Sequence, residues 1–310
     1  MNDPLDITHE IKLALNRNEP AVAIESSVIA QGLPAAINVE TALKMEDAAR
    51  RGGAVPATVG VIGGRLRVGL MREEMELIGG GNAAKVAARD IPYAVAHKLD
   101  GGTTVSATMR IAVPAGIPVI VTGGIGGVHH GFADSLDISA DLWELAHTPA
   151  VVVCSGVKAV ADIAATAEWL ETHGVPVYGF RTDEFPAFYS RSSGIPIPRV
   201  DSPEELAGVL KVAFGAVGMR AAVLVAVPIP EENEVDASAA VEQAVREADR
   251  QGVKGKMLTP YLLRRVAELT DGKSLQANVA LLVNNAGVAA EIAAAMERQS
   301  RRRIGFLPRE

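Results

Sequence analysis

The sequence predicts an α/β fold with a mostly parallel sheet covered by helices, and two observations support this. Short apolar runs of strand length alternate with stretches of helical periodicity, as in right-handed βαβ units. Hydrophobic residues make up 48% of the 310 residues and aromatic residues only 4%, so the core must be mostly Ala, Val, Ile and Leu. Such a composition suits parallel strands that are apolar on both faces. We expect one domain over residues 1–310, because no repeat or linker interrupts the pattern.

The strands are predicted from apolar runs bounded by polar or glycine residues. A hairpin is predicted where residues 57–62 and 66–70 flank Gly63-Gly64. The other predicted strands cover residues 21–24, 117–121, 150–154, 175–180 and 221–227.

The helices are predicted from capping residues and periodicity. Asn38 is a candidate N-cap for a helix over residues 39–51, which Gly52-Gly53 would end. A second helix is predicted near residues 157–172, and the chain from about residue 236 onward is predicted to be mainly helical.

Functional side chains are expected directly after strands, because ligands bind at the carboxyl ends of parallel strands. Glu25 follows the strand over residues 21–24. A carboxylate there is partly removed from water, which favours the protonated form that a general acid needs. The alternative is that Glu25 only caps amides of the Ser26-Ser27 turn.

Lys158 follows the strand over residues 150–154, at or near the start of the predicted helix. The helix dipole and an apolar setting both disfavour a cation, so both favour the neutral amine that could attack a sugar C1. The alternative is a solvated lysine at a helix start.

Residues 122–127, Thr-Gly-Gly-Ile-Gly-Gly, follow another strand. The glycines could bring backbone amides close to an anion, or the segment could be only a tight crossover loop. It has neither the Walker spacing nor the dinucleotide-binding fingerprint.

An acidic segment follows this loop. Ser139 is a candidate N-cap for a helix through Leu142 and Leu145. Asp137, just before it, could bind Mg²⁺ or Mn²⁺ with waters and substrate oxygens, or could be ordinary negative charge at a helix N-terminus.

Three further side chains are ambiguous. Lys85 could hold a phosphate or be a surface charge. His129-His130 could shuttle a proton or contact a ligand, but no zinc-site spacing accompanies them. Cys154 ends an apolar strand and is predicted to be a core residue.

Composition excludes several classes of protein. The net charge is −7, from 30 basic and 37 acidic residues, which argues against a general nucleic-acid binder. One cysteine allows no intrachain disulfide and fits a reducing compartment. No secretory segment is evident, and no apolar run approaches the roughly 20 residues that span a bilayer. We expect a cytoplasmic protein without membrane or nucleic-acid partners.

Taken in order, nine segments resemble the pseudouridine-5′-phosphate glycosidase family, also called the indigoidine-synthase-A-like family. No single segment is decisive, but the ordered set covers nearly the whole chain. The segments are residues 23–26, 53–58, 101–105, 121–129, 137–142, 153–158, 182–188 and 259–263, and Asn278 with Asn284-Asn285.

The resemblance implies a three-layer α/β/α fold, a homotrimer, a bound Mn²⁺ (with Mg²⁺ as a substitute), and cleavage of the C–C glycosidic bond of pseudouridine 5′-phosphate to uracil and ribose 5-phosphate. By motif match, Glu25 falls on the proton donor, Lys158 on the nucleophile and Asp137 on the metal ligand. The substrate-binding positions implied are Lys85, Val105, Ser139, Ala140 and Asp141, together with Thr122, His129 and Asn278.

Two departures from the family pattern concern phosphate affinity. His130 stands where an arginine is expected, and Ala87-Ala88 replaces a more polar pair. Two other functions stay open: a Schiff-base aldolase or isomerase of sugar phosphates, and a non-catalytic sugar-phosphate sensor. The set of Glu25, Asp137 and Lys158 argues against the sensor. A modified C-nucleotide is a further candidate substrate.

Overall fold

The computed structural model describes residues 3–253 and 255–304, which are built around an eleven-stranded sheet and a separate two-stranded one. The strands are β1 (Leu5–Ile7), β2 (Ala21–Ile24), β3 (Val55–Ile62), β4 (Arg65–Val68), β5 (Ala84–Val86), β6 (Gly101–Thr103), β7 (Val119–Val121), β8 (Val128–His129), β9 (Val151–Cys154), β10 (Ala161–Asp162), β11 (Val177–Phe180), β12 (Arg199–Val200) and β13 (Val223–Ala226).

The helices follow the same chain order. They are α1 (His9–Asn16), α2 (Asn38–Arg51), α3 (Arg72–Gly79), α4 (Ile91–Ala96), α5 (Val105–Ala112), α6 (Phe132–Ser135), α7 (Ala140–His147), α8 (Ile163–Thr172), α9 (Pro203–Lys211), α10 (Ser238–Gln251), α11 (Leu258–Leu269) and α12 (Lys273–Ile304). Short π-helical turns lie at Val28–Gly32 and Val212–Ala216, and 3₁₀ turns at Ala88–Asp90, Glu231–Asn233 and Gly255–Met257.

The main sheet is parallel over most of its width. Strands β3-β2-β7-β9-β13-β11-β12 lie side by side in that order, and all neighbours are parallel. The far end of β3 pairs antiparallel with β4, which confirms the predicted hairpin. It also pairs antiparallel with β6, which places β5 and β6 beside the hairpin.

Side chains alternate between the two faces of the sheet, so each strand contributes to two cores. Val22 and Ile24 of β2 pack in the core beneath α2, α9 and α12. Ala21 and Ala23 face the opposite core, beneath α1, α5, α7 and α8. This arrangement confirms the three-layer α/β/α prediction.

Asn38 does not cap α2, contrary to the prediction. Its Nδ2 donates to the carbonyl oxygens of Ile29 (2.8 Å) and Gly79 (3.1 Å), and Ile37 occupies the cap position. Because the amide is engaged across the chain, Asn38 ties α2 to the π-helical turn and to α3.

The helix predicted over residues 157–172 begins later, at Ile163. The carboxylate of Asp162 accepts a hydrogen bond from the Ala165 amide at 2.9 Å and starts the helix there. Lys158 instead lies in the loop before this helix, its N–H donating to the Ile125 carbonyl at 2.9 Å. The prediction that Lys158 sits at or near the start of this helix is therefore wrong, because the helix begins five residues later.

One helix is contrary to the expectation that no segment has the length and composition of a membrane span. Residues 273–300 of α12 are long and apolar enough to cross a bilayer by length and composition alone. Leu281, Leu282, Ala289 and Ile292 are buried among the residues of α2, β2 and their neighbours. The segment is therefore a core helix of this fold.

Candidate active site

The site lies where three neighbouring parallel strands end. Glu25 directly follows β2, Thr122 directly follows β7, and Lys158 lies in the loop after β9. Since β7 lies between β2 and β9, the three side chains share one edge of the sheet. These three candidate residues therefore lie after strands, as their positions in the sequence predicted.

Hydroxyl groups hold the carboxylate of Glu25, which is only 2% exposed. Its Oε1 accepts a hydrogen bond from the Thr122 hydroxyl, and its Oε2 accepts one from the Ser27 hydroxyl at 2.8 Å. Ser26 is turned away and donates to the Val59 carbonyl. The carboxylate is thus fixed by neighbouring hydroxyls rather than serving as a cap for the turn amides.

A tight turn carries Lys158 back toward the glycine loop. Gly156 has φ +86°, and a Cβ there would lie 2.1 Å from the Pro186 carbonyl oxygen, so only glycine fits. Val157 then pairs with Ile125, and Lys158 follows half-buried.

Asn285 of α12 ties two of these loops together. It is fully buried, and its Nδ2 donates to the Thr122 carbonyl at 3.0 Å and to the Ser155 hydroxyl at 3.1 Å. The loops after β7 and β9, which carry Thr122 and Lys158, are therefore held by one side chain from the helical layer.

Two compartments meet at Lys158. Both are lined by Lys85, Lys158 and Thr259. The inner compartment is largely apolar, and its further lining residues include Glu25, Val28, Gln31, Phe188, Leu263, Asn278 and Leu282. The outer compartment is polar, and its further lining residues include Arg89, Thr104, His129, Asp137, Ser139, Ala140 and Asp141.

The glycine loop lines both compartments, with Gly123 and Gly124 at the inner one and Gly126 at the outer one, and two of its amides bond within the protein. The Ile125 amide donates to the Gly156 carbonyl (3.1 Å), and the Gly126 amide donates to Asp141 Oδ2 (3.0 Å). Asp141 is 4% exposed, and its Oδ1 also accepts from the Ser106 amide at 2.9 Å. These two loop amides therefore serve contacts within the protein, one with a backbone carbonyl and one with the carboxylate of Asp141.

His129 faces the outer compartment with a buried Nδ1 that has no hydrogen-bond partner among the described residues. Burial lowers the pKa of its imidazole, and the negative charge of Asp137 partly opposes this. Lys85 and Lys158 lower the pKa further. A neutral ring near several cations can donate or accept toward a ligand.

Asp137 is the metal ligand that the sequence predicts, and the donor set around it is sparse. Over residues 3–253 and 255–304, no group of three or more His, Cys, Asp or Glu side chains could hold a metal ion. The backbone carbonyl of Asp137 accepts a hydrogen bond from the His129 amide at 3.1 Å. One half-buried carboxylate suits Mn²⁺ or Mg²⁺ that keeps several waters, and does not suit a zinc site with four protein ligands.

Most of the predicted site residues come together around these compartments. Ser139 caps α7 through its hydroxyl, which accepts from the Asp141 amide at 3.2 Å, as predicted. Thr122 is fully buried and acts on Glu25 rather than lining the cavity. Val105 is also fully buried, at the first turn of α5, and it is not among the lining residues of either compartment.

Some lining residues had no role in the sequence reasoning. Phe188 and Thr259 lie in segments that matched the family pattern, so that match was a usable signal. Gln31 had no signal, because a glutamine in a turn after a strand is unremarkable without the cavity around it.

Comparison with known proteins gives a consistent result. The family model described as "Indigoidine synthase A like protein" matches residues 10–295. The chain is 50% identical over 298 residues to a pseudouridine-5′-phosphate glycosidase of Caldanaerobacter subterraneus, covering 94% of this chain and 97% of the relative. It is 48% identical over 300 residues to the Escherichia coli protein of the same name, covering 95% and 96%.

Solved structures show the same fold. A prealnumycin C-glycosynthase in complex with ribulose 5-phosphate matches with a TM-score of 0.88 at 40% identity, covering 96% of this chain and 98% of that one. An indigoidine synthase A-like protein of Thermotoga maritima matches with a TM-score of 0.87 at 37% identity, covering 95% and 97%. On its sequence and its fold, this chain belongs to the indigoidine synthase A-like protein family.

Proposed function

We propose that this chain cleaves the C–C glycosidic bond of pseudouridine 5′-phosphate, reversibly, to uracil and ribose 5-phosphate. The observation that carries the proposal is the position of Lys158, with Lys85, between an apolar compartment that also holds Glu25 and a polar compartment that also holds Arg89. The base of a nucleotide suits the apolar compartment and its sugar phosphate suits the polar one, so a nucleotide needs the two side by side. The names of relatives about 50% identical supply the substrate.

The chemistry explains why a lysine is needed. A pair of carboxylates suffices when the leaving atom is oxygen or nitrogen, but here the leaving atom is uracil C5. We propose that Lys158 Nζ attacks C1′, the C1′–O4′ bond breaks, and O4′ takes a proton. Glu25, fixed by the Thr122 and Ser27 hydroxyls, holds and returns protons in these transfers.

Cleavage then follows from the opened sugar. After C5 is protonated, the nitrogen lone pair forms a C=N bond as the C1′–C5 bond breaks. The bond pair restores the C5=C6 double bond of uracil. Water hydrolyses the imine, which releases ribose 5-phosphate and regenerates the Lys158 amine.

The remaining polar groups bind the substrate in this proposal. Lys85, with Arg89 nearby, neutralises the phosphate, while Ser139, Ala140 and Asp141 define the sugar end and His129 and Asn278 contact the reacting part. Asp137 would hold Mn²⁺, or Mg²⁺, through one carboxylate. When bound, the ion would polarise and orient substrate oxygens.

We also propose that the protein works in the cytoplasm as a homotrimer. Support for self-association comes from a surface groove beside the outer compartment, here called the tryptophan groove. Its lining residues include Ile91, Pro92, Arg110, Trp143, Trp169 and His173. Trp143 is 61% exposed, which is unusual for a tryptophan without a partner surface.

A direct assay tests the proposed function. Pseudouridine 5′-phosphate is incubated with the protein and Mn²⁺ or chelator, and uracil is measured by chromatography. Borohydride added during turnover should attach ribose phosphate to Lys158, located by peptide mass spectrometry. The variant Lys158→Ala should give neither uracil nor adduct, while Lys211→Ala, an exposed lysine of α9, should behave as the unmodified protein.

The same assay separates the alternatives. Adduct formation with sugar phosphates but no uracil from any C-nucleotide would favour an aldolase or isomerase. Ligand binding with no adduct and no product would indicate a sensor. Preferential bond formation between ribose 5-phosphate and an aromatic acceptor other than uracil would point toward the C-glycosynthase that shares 40% identity with this chain.

A further inference from the structure

Gln31 has an incompletely satisfied side chain inside the candidate site. It lies on the π-helical turn Val28–Gly32, directly after the segment that carries Glu25, and lines the inner compartment. Its Nε2 donates to the Ala83 carbonyl at 2.9 Å. Its Oε1 is buried and has no hydrogen-bond partner among the described residues. A buried acceptor left unpaired is costly, so such an atom points to a donor supplied by a ligand.

The neighbour of Gln31 fixes which of its amide atoms is free. The Ala83 carbonyl can only accept, so it must face the NH₂ group of Gln31. Turning the amide over would place two oxygens together and leave the NH₂ group unpaired. The atom left for a ligand is therefore an acceptor and demands an N–H or O–H donor.

The turn that carries Gln31 is held in place. Asn38 Nδ2 donates to the carbonyl of Ile29, within the turn, at 2.8 Å. Short π-helical turns are rare and are frequently found at functional sites. The acceptor is thus presented by a fixed backbone.

The surroundings of Gln31 suit a flat heterocycle. Val28, Phe188, Leu263 and Leu282 supply apolar walls to the inner compartment, whereas Arg89 and Asp137 line the outer one. The base of a nucleotide therefore belongs on the side of Gln31 and the phosphate on the other side of Lys158.

We infer that Gln31 is a specificity-determining residue for the base, and that its Oε1 accepts a hydrogen bond from a ring N–H. The inference rests on the proposed function. A uracil joined to ribose through C5 keeps two ring N–H donors, N1–H and N3–H. An acceptor in this position favours binding of a base whose facing edge carries a ring N–H. It disfavours a base whose facing edge presents only carbonyl oxygens or nitrogen lone pairs.

The test compares Gln31→Met, which keeps the length of the side chain but removes the acceptor, with Gln276→Met, an exposed glutamine of α12. We expect kcat/KM for pseudouridine 5′-phosphate to fall about tenfold or more in Gln31→Met and to stay unchanged in the control. Borohydride trapping of ribose 5-phosphate alone needs Lys158 but no base, so it should be unchanged in both. Wild-type kcat/KM in Gln31→Met, or an equal loss of trapping, would overturn the inference.

A second comparison varies the substrate. Of the N1-methyl and N3-methyl derivatives of pseudouridine 5′-phosphate, one lacks the donor that faces Gln31. The unmodified protein should cleave that derivative about tenfold less well than the other, and Gln31→Met should lose most of this difference. Equal cleavage of both derivatives by the unmodified protein overturns the inference even if the variant is unstable. If the unmodified protein cleaves none of these substrates and traps no ribose 5-phosphate, the proposed function fails as well.

Discussion

At the scale of single residues, burial decides what each ionisable or nucleophilic group can do. Glu25 directly follows a strand of the sheet, Cys154 is the last residue of another, and both are buried. Glu25 lines a cavity, whereas Cys154 lies in the core with Ala226 and Val152. Position after a strand therefore marks a candidate, and access to a cavity decides whether it can act.

The thiol of Cys154 provides a direct check. Burial raises its pKa to about 12, so almost no thiolate is present at pH 8. We expect no measurable alkylation by iodoacetamide in the native protein and complete alkylation in urea, followed by mass spectrometry. Cys154→Ala should keep the catalytic rate within about twofold, since the removed group is a small core side chain. Rapid alkylation of the folded protein would contradict the assignment to the core.

The site residues that could be predicted from the sequence share one property. Their residue type and their position beside a predicted strand or helix indicate a chemical role before any contact in the fold is known. A carboxylate or lysine soon after an apolar strand is conspicuous, which is why Glu25 and Lys158 could be proposed, and Asp137 is conspicuous as a carboxylate just before a helix. Glu25 and Lys158 line the inner compartment, and Lys158 and Asp137 line the outer one. Gln31 could not be found in this way, because its importance comes from one carbonyl, Ala83, that lies far away in the sequence.

At the scale of elements, the loop after β9 controls the position of Lys158. Sequence periodicity extended the following helix back to residue 157, because Val157, Val160 and Ala161 are apolar and compatible with a helix. Pairing of Val157 with Ile125 and the cap at Asp162 prevail over that preference. Contacts of this kind join segments distant in sequence and cannot be read from local periodicity.

Gly156 is the residue on which this loop depends. A Cβ at this position would lie 2.1 Å from a backbone oxygen that cannot easily move, so Gly156→Ala should combine left-handed strain with overpacking. We expect the free energy of unfolding to fall by about 3 kcal/mol or more in urea titrations, together with a loss of adduct formation at Lys158.

Gly174 offers a matched control for this substitution. It also has positive φ, +67°, but a Cβ there would meet nothing within 4 Å. Gly174→Ala should therefore cost only about 1 kcal/mol and leave adduct formation unchanged. Equal effects of the two substitutions would show that the close approach to Pro186 does not matter.

At the scale of the whole molecule, one edge of the sheet gathers the chemistry, and the helical layers hold it. The fold class could be predicted, because alternating strands and helices with few aromatic residues have few other solutions. The surface beside the site could not, since Trp143 and Trp169 lie on different helices and become neighbours only in the folded chain. That surface is covered only if subunits of this chain assemble over it.

The tryptophan groove makes the assembly testable without a label. Both tryptophans of the chain line it, so intrinsic fluorescence reports on this surface alone. If the groove is buried between subunits, light scattering should give about three times the 32.4 kDa of one chain, and dilution should shift emission to the red as the indoles meet water. Trp143→Lys should produce the single-chain mass at concentrations where the unmodified protein is assembled. Val217→Lys, which alters a residue 67% exposed outside the groove, should not. A single-chain mass for the unmodified protein at every concentration would contradict the homotrimer and leave the groove open to solvent.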